Sequence, residues 1–181
     1  MNTQKIEIIP DIGINFNGDM KIARRLIWEA QQAGCRVAKF QLYDVDTLFP
    51  DKKIIAQGRD WYDEVKRTQL SYELVTDLAF YCNTLGMELF ASAFDIERLG
   101  WLESLGVKRH KVATRANHDI NLIYRMISTS KPILLSCTNR SAVHQSPQIK
   151  YLYCIPEYPT PLSSLGFERI NFPTQFQGFS D

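Results

Sequence analysis

Short apolar runs alternate with amphipathic ones along most of this chain. Residues 6–14 (IEIIPDIGI) read as a first strand. Asp19 then opens a helical pattern that runs to Ala33. Ile22, Leu26, Ile27 and Ala30 share one face at 3.6 spacing, and Gly34 stops it. Residues 36–42 (RVAKFQL) form a second strand, and a long polar and aromatic connection covers residues 43–69. Ser71 caps another helix, with Leu74, Leu78 and Tyr81 on its face and Gly86 at its end. Residues 87–92 are a third strand, and Asp95 caps a helix that Gly106 ends. Residues 109–114 are a fourth strand, 121–128 a helix and 132–136 a fifth strand. Residues 141–148 are too short and too polar for a full helix. A sixth strand follows at 151–155, then the Pro-rich loop YPTPLSS, and residues 176–179 begin a seventh.

Strands that alternate with helices imply a parallel sheet, because parallel neighbours need crossover connections. An open doubly wound sheet and a closed barrel both satisfy that pattern. No GxGxxG follows the first strand, which disfavours the dinucleotide-binding version. The expected fold is α/β, a TIM-type (β/α) barrel that is incomplete. It has about seven strands, a shortened fifth crossover and no closing βα units. Polar residues gather at the strand ends: Asn15, Asn17, Lys39, Gln41, Ser92, Lys111, Thr114, Ser136 and Tyr158. In a barrel these point into one mouth. No domain boundary is visible across residues 1–181.

Composition narrows the class. The chain has 181 residues, 45% of them hydrophobic, and a formal net charge of +1. That suffices for one domain with a core, and gives no reason to expect nucleic acid or an anionic membrane as partner. No apolar stretch approaches the roughly 20 residues that span a bilayer, and MNTQKIEIIP lacks the marks of a secretion signal. Cys35, Cys82, Cys137 and Cys154 match neither a zinc clip nor a CxxC pair, so four buried, reduced thiols are expected. A soluble cytoplasmic protein follows. An unclosed barrel has two open sheet edges, so a homodimer or an exposed apolar flank is expected.

Lys39 sits inside the apolar run VAKFQ and Lys111 inside HKVAT. A lysine in a buried strand must meet an anion or lose its charge. With the hydroxyls of Ser92, Thr114 and Ser136, the two suggest a pocket for phosphate and carboxylate. An edge or surface lysine is the plainer reading, and a Schiff base with a carbonyl substrate stays open. Asp11 is a candidate general base, or else a structural carboxylate bonded to a barrel lysine. Asn15-Phe16-Asn17-Gly18 is a turn signal. His110, His118 and His144 lack metal-ligand spacing, and packing in the helix layer or at the surface is expected for each.

The segments IIPDIGINFNGDM, VAKFQLY, LFASAFD, RHKVAT, KPILLS, YCIPEYPTP and GFSD follow one another here in the order of the sialic acid synthase family. The chain resembles that family from about Ile6 to its last residue. The resemblance implies a TIM-barrel catalytic domain, usually followed by a small antifreeze-like domain. It implies a transferase reaction that condenses phosphoenolpyruvate with N-acetylmannosamine or a related amino sugar and releases phosphate by C–O cleavage. By position, Lys39, Ser92, Lys111, Thr114, Ser136 and Ser180 look like the phosphoenolpyruvate site. Tyr158 looks like a contact to the acceptor sugar, and Asp11 occupies the place of the catalytic acidic residue. A divalent metal, Mn or Mg, is implied as cofactor.

The sequence departs from that pattern in several places. Asp11 stands where the family has glutamate, and a misplacement on the order of 1 Å can cost about 100-fold in rate. Phe16 replaces a histidine, Pro156 an asparagine or serine, and Arg115 and Ala116 small and acidic residues. The family's histidine metal ligands come after the position of Asp181. An inactive isolated chain is therefore expected. The alternatives are a non-catalytic relative that binds a phosphorylated or carboxylated ligand, and a 3-deoxy-sugar-acid phosphate synthase.

Overall fold

The computed structural model describes residues 6–157, 159–172 and 174–180. The chain forms two compact units, one ending at Val107 and one beginning at Lys108. The first runs β1 (Asp11–Gly13), α1 (Met20–Gln32), β2 (Val37–Leu42), α2 (Val45–Leu48), β3 (Ile55–Ala56), β4 (Arg59–Asp60), α3 (Tyr62–Arg67), α4 (Tyr72–Thr84), β5 (Glu88–Ala93) and α5 (Ile96–Ser104). β2 pairs in parallel with β1 and with β5. The first strand is shorter than its apolar run. Pro10 has no N–H to give, though its carbonyl still accepts the Lys39 N–H at 3.0 Å.

The caps read from sequence hold. Asp19 accepts the Lys21 N–H at 2.7 Å, Ser71 the Leu74 N–H at 3.3 Å and Asp95 the Arg98 N–H at 2.8 Å. The buried helix faces are rotated from those expected. On α1 the fully buried positions are Ala23 and Ile27, and Ile22 is exposed. On α4 they are Val75, Leu78 and Cys82, and Leu74 is exposed. Leu78 belongs to both rows, so one shared position fixed the helix but not its rotation.

Residues 43–69 are more than a connection. Tyr43, Val45 and Tyr62 are buried together, and Ile14, Leu48, Phe49, Ile54, Val65 and Phe94 pack around them. Gln57 and Gly58 both take positive φ, as a two-residue turn between β3 and β4 requires. Phe16 is buried, and its ring meets Phe40 edge-on at 6.2 Å. Burying a phenylalanine contributes about 1.5–3 kcal/mol, so this turn is anchored by its apolar residue.

The second unit runs β6 (His110–Val112), a 3-10 turn at Thr114–Ala116, α6 (Ile120–Ser128), β7 (Ile133–Cys137), β8 (Ile149–Tyr153) and β9 (Gly178–Phe179). All four strands pair in parallel in that order. Between β7 and β8 stands one 3-10 turn, Arg140–Ala142, in keeping with the shortened crossover. Beyond β8 the described residues form two further 3-10 turns. Tyr153 packs there against Phe176 and Phe179 at 5.4 and 6.3 Å, and Phe167 meets Phe179 at 4.9 Å. All four cysteines are free. Cys82, Cys137 and Cys154 are buried, but Cys35, expected inside, is only half-buried beside the turn at Gly34. No described helix is long and apolar enough to cross a membrane.

Candidate functional site

In the first unit the strand ends bring Asp11, Lys39 and Gln41 together. Lys39 Nζ lies 2.7 Å from Asp11 Oδ2, with the lysine side chain 12% exposed and the aspartate 42%. Gln41 donates to the same oxygen at 3.3 Å. The pairing follows from register, which sets Asp11 opposite Lys39. Lys39 and Gln41, two apart on β2, share a face. Gly13 fits this cluster closely. Its φ is +50°, and a Cβ there would lie 3.0 Å from Gln41 Nε2 and 3.1 Å from Asp11 Oδ1. Ser92 is buried on β5 and stands beside Gln41 in the ladder. Of the two roles open to Asp11, the geometry displays that of a carboxylate bonded to a lysine.

In the second unit Lys111 is 4% exposed and Ser136 1%. Lys111 Nζ donates to Ser136 Oγ at 2.6 Å and to the Val112 carbonyl at 2.9 Å. Thr114 Oγ1 donates to Cys154 Sγ at 3.1 Å, and Asn117 Nδ2 to the Ser136 carbonyl at 3.0 Å. Ser180 continues from β9, its N–H donating to the Tyr153 carbonyl at 2.8 Å. Burial pushes the Cys137 thiol up to about 11, with Cys154 nearby adding to the shift. Tyr158, the expected sugar contact, and Asp181 lie outside the described residues.

Each unit thus clusters its own candidate groups. Asn117 and Cys154 join the second cluster without having been singled out from sequence as site residues. Cys154 directly follows β8, and Asn117 lies a few residues beyond β6. His110 is buried, with Nε2 3.1 Å from Thr129 Oγ1 in the turn after α6, which is the helix-layer packing expected of it. His144 packs edge-on to Tyr124 at 4.8 Å. Among the described residues, no group of three or more His, Cys, Asp or Glu could hold a metal ion. The divalent metal implied by the family pattern therefore finds no fitting donor set among the described residues.

Comparison with known proteins adds the family. Residues 26–181 match the NeuB family. The chain belongs to the NeuB family. It is 31% identical over 140 residues to the N,N'-diacetyllegionaminic acid synthase of Legionella pneumophila, covering 71% of this chain and 38% of that protein. It is 26% identical over 198 residues to the N-acetylneuraminate-9-phosphate synthase of Drosophila melanogaster, covering 97% of this chain and 53% of that one. The chain therefore spans about half, or less, of these relatives. The crystal structure of an N-acetylneuraminic acid (sialic acid) synthetase from Leptospira borgpetersenii in complex with citrate superposes with a TM-score of 0.84. That match has 24% identity and covers 97% of this chain and 65% of the other. Such a likeness establishes the fold, the incomplete α/β TIM-type barrel expected from the strand–helix rhythm.

Proposed function

We propose that this NeuB-family chain carries substrate-binding machinery of a nonulosonic acid synthase, and that the Lys111–Ser136 cluster receives an anionic group of phosphoenolpyruvate. One observation carries the reading: a lysine ammonium almost wholly out of water, held 2.6 Å from a buried serine hydroxyl. Buried ammonium and hydroxyl donors bind carboxylate and phosphate oxygens through charge-assisted hydrogen bonds. Thr114 adds a hydroxyl near the same strand end. For Lys39, Ser92 and Ser180 the assignment to phosphoenolpyruvate rests on the family motifs they occupy. The reaction is condensation with N-acetylmannosamine or a related amino sugar. A carbon–carbon bond forms between phosphoenolpyruvate and the sugar aldehyde, water adds, and phosphate leaves by C–O cleavage.

A second reading, binding without turnover, is favoured by the 2.7 Å contact between Asp11 and Lys39. There the carboxylate is taken up as the ion-pair partner of the lysine. Two assays separate the readings. Thermal-shift titration with phosphoenolpyruvate tests binding, since a ligand at 100 times its Kd stabilises by about 2.7 kcal/mol. Phosphate release from phosphoenolpyruvate with N-acetylmannosamine and manganese tests turnover. No shift at millimolar phosphoenolpyruvate overturns both readings. A shift without phosphate release leaves the second.

A further inference from the structure

We infer that Asn117 is a positioning residue that fixes Ser136 for ligand binding. The inference rests on the reading of Lys111 and Ser136 as an anion-binding couple. Those two side chains come from neighbouring strands, so their separation depends on how the strand ends are offset. The β6–β7 ladder stops at Val112 opposite Leu135, one residue before Ser136. Past that point Asn117 supplies the next rung. Its backbone N–H closes the turn onto the Thr114 carbonyl at 3.3 Å, while its side-chain Nδ2 donates to the Ser136 carbonyl at 3.0 Å. The segment after β6 is thereby tied to the end of β7, and the Ser136 hydroxyl is held 2.6 Å from Lys111 Nζ.

A purely structural account of Asn117 is incomplete. The side chain is 5% exposed, and its Oδ1 is buried without a hydrogen-bond partner among the described residues. A buried acceptor left unpaired weakens a fold; an apolar residue of the same shape would remove that weakness, at the cost of leaving the Ser136 carbonyl without its donor. Asparagine at this position trades stability for the placement of Ser136, as residues that serve a site do.

The test measures phosphoenolpyruvate affinity by calorimetry on the full chain, together with the melting temperature of the unliganded protein. Asn117→Leu removes the unpaired Oδ1 but leaves the Ser136 carbonyl without its donor, so its melting temperature should change little, while phosphoenolpyruvate should bind about 3- to 10-fold more weakly, the scale of one neutral hydrogen bond. Asn117→Ser, too short to reach the carbonyl, should show the same loss and covers the case in which the leucine variant fails to fold. In a Ser136→Ala background either change should cost nothing further, because Asn117 acts through Ser136. Undiminished binding by Asn117→Leu, or losses that add fully to that of Ser136→Ala, overturns the inference while native binding stands. Absence of binding by the native chain overturns the functional reading and this inference with it.

Discussion

Lys111 and Ser136 stand on neighbouring parallel strands, and the ammonium of one donates to the hydroxyl of the other at 2.6 Å with both almost sealed from solvent. Parallel register makes this contact. Lys111 pairs with Leu134, and Ser136 lies two residues on, on the same face of β7.

Lys111→Met separates binding from folding. Methionine has similar length and fills the same space without the ammonium. The melting temperature, read alongside, shows whether the variant still folds. Phosphoenolpyruvate affinity should fall about 10- to 100-fold, as expected for losing a charged hydrogen bond. Calorimetry that finds equal affinity for variant and native chain removes Lys111 from the site.

Gly13→Ala tests the other cluster. A φ of +50° costs a non-glycine residue about 1–2 kcal/mol, and the new methyl would crowd the Asp11 carboxylate and the Gln41 amide. The melting temperature should drop by roughly 2–8 °C for a chain of this size. A variant as stable as the native protein would show that this turn relaxes freely.

Much of this fold is legible in the sequence alone. Helix starts are local events, so Asp19, Ser71 and Asp95 could be read one at a time. The sequence of α/β alternation likewise needs only nearby residues. Residues 43–69 are opaque because side-chain bonds and packing, not a repeating pattern, give them their order. Tyr43 OH donates to the Val65 carbonyl at 2.9 Å, and Asp60 accepts the N–H groups of Ile54 and Tyr62. No periodicity marks such bonds. In the site, the lysines were visible as charges in apolar strands. Their partners differ in kind, a carboxylate for Lys39 and a hydroxyl for Lys111, and only register reveals which. Nothing local marks Asn117, because its value lies in one long-range bond to Ser136.

The segment from Asp44 to Tyr62 should open in acid. The Thr47 N–H holds the Asp44 carboxyl below its usual 3.8, the Ile54 and Tyr62 N–H groups lower Asp60, and the Tyr62 hydroxyl lowers Asp46. Such bonds exist only in the folded segment, so its stabilisation is complete above 3.8 and is lost as pH falls through the lower folded values. Tyr62 behaves oppositely. Its hydrogen bond to Asp46 raises it from 10 to about 12, so its contribution is present below 10 and fades as pH climbs toward 12. Trp61 reports on the segment, since its indole donates to the Ala56 carbonyl at 3.1 Å. Its fluorescence should be flat through neutrality and change below about pH 4. A signal unchanged down to pH 3 would show that these carboxylates do not hold the segment.

Thiol chemistry gives a readout of the second cluster that needs no catalysis. Alkylation requires the thiolate and a path to it. Burial pushes Cys82 up to about 12 and Cys137 up to about 11, so both should stay unlabelled in the native protein at pH 8. Half-buried Cys35 should react first. Cys154 is 7% exposed and accepts the Thr114 hydroxyl at 3.1 Å, so it should label slowly, through local opening. A ligand held at Lys111 and Ser136 stabilises the closed state. Saturating phosphoenolpyruvate should therefore slow Cys154 labelling about 10-fold or more and leave Cys35 unchanged, as read by peptide mass spectrometry. Protection of Cys35 to the same extent would point to a general stabilisation. No protection at Cys154, with binding established by calorimetry, would place phosphoenolpyruvate away from the Thr114 end of β6.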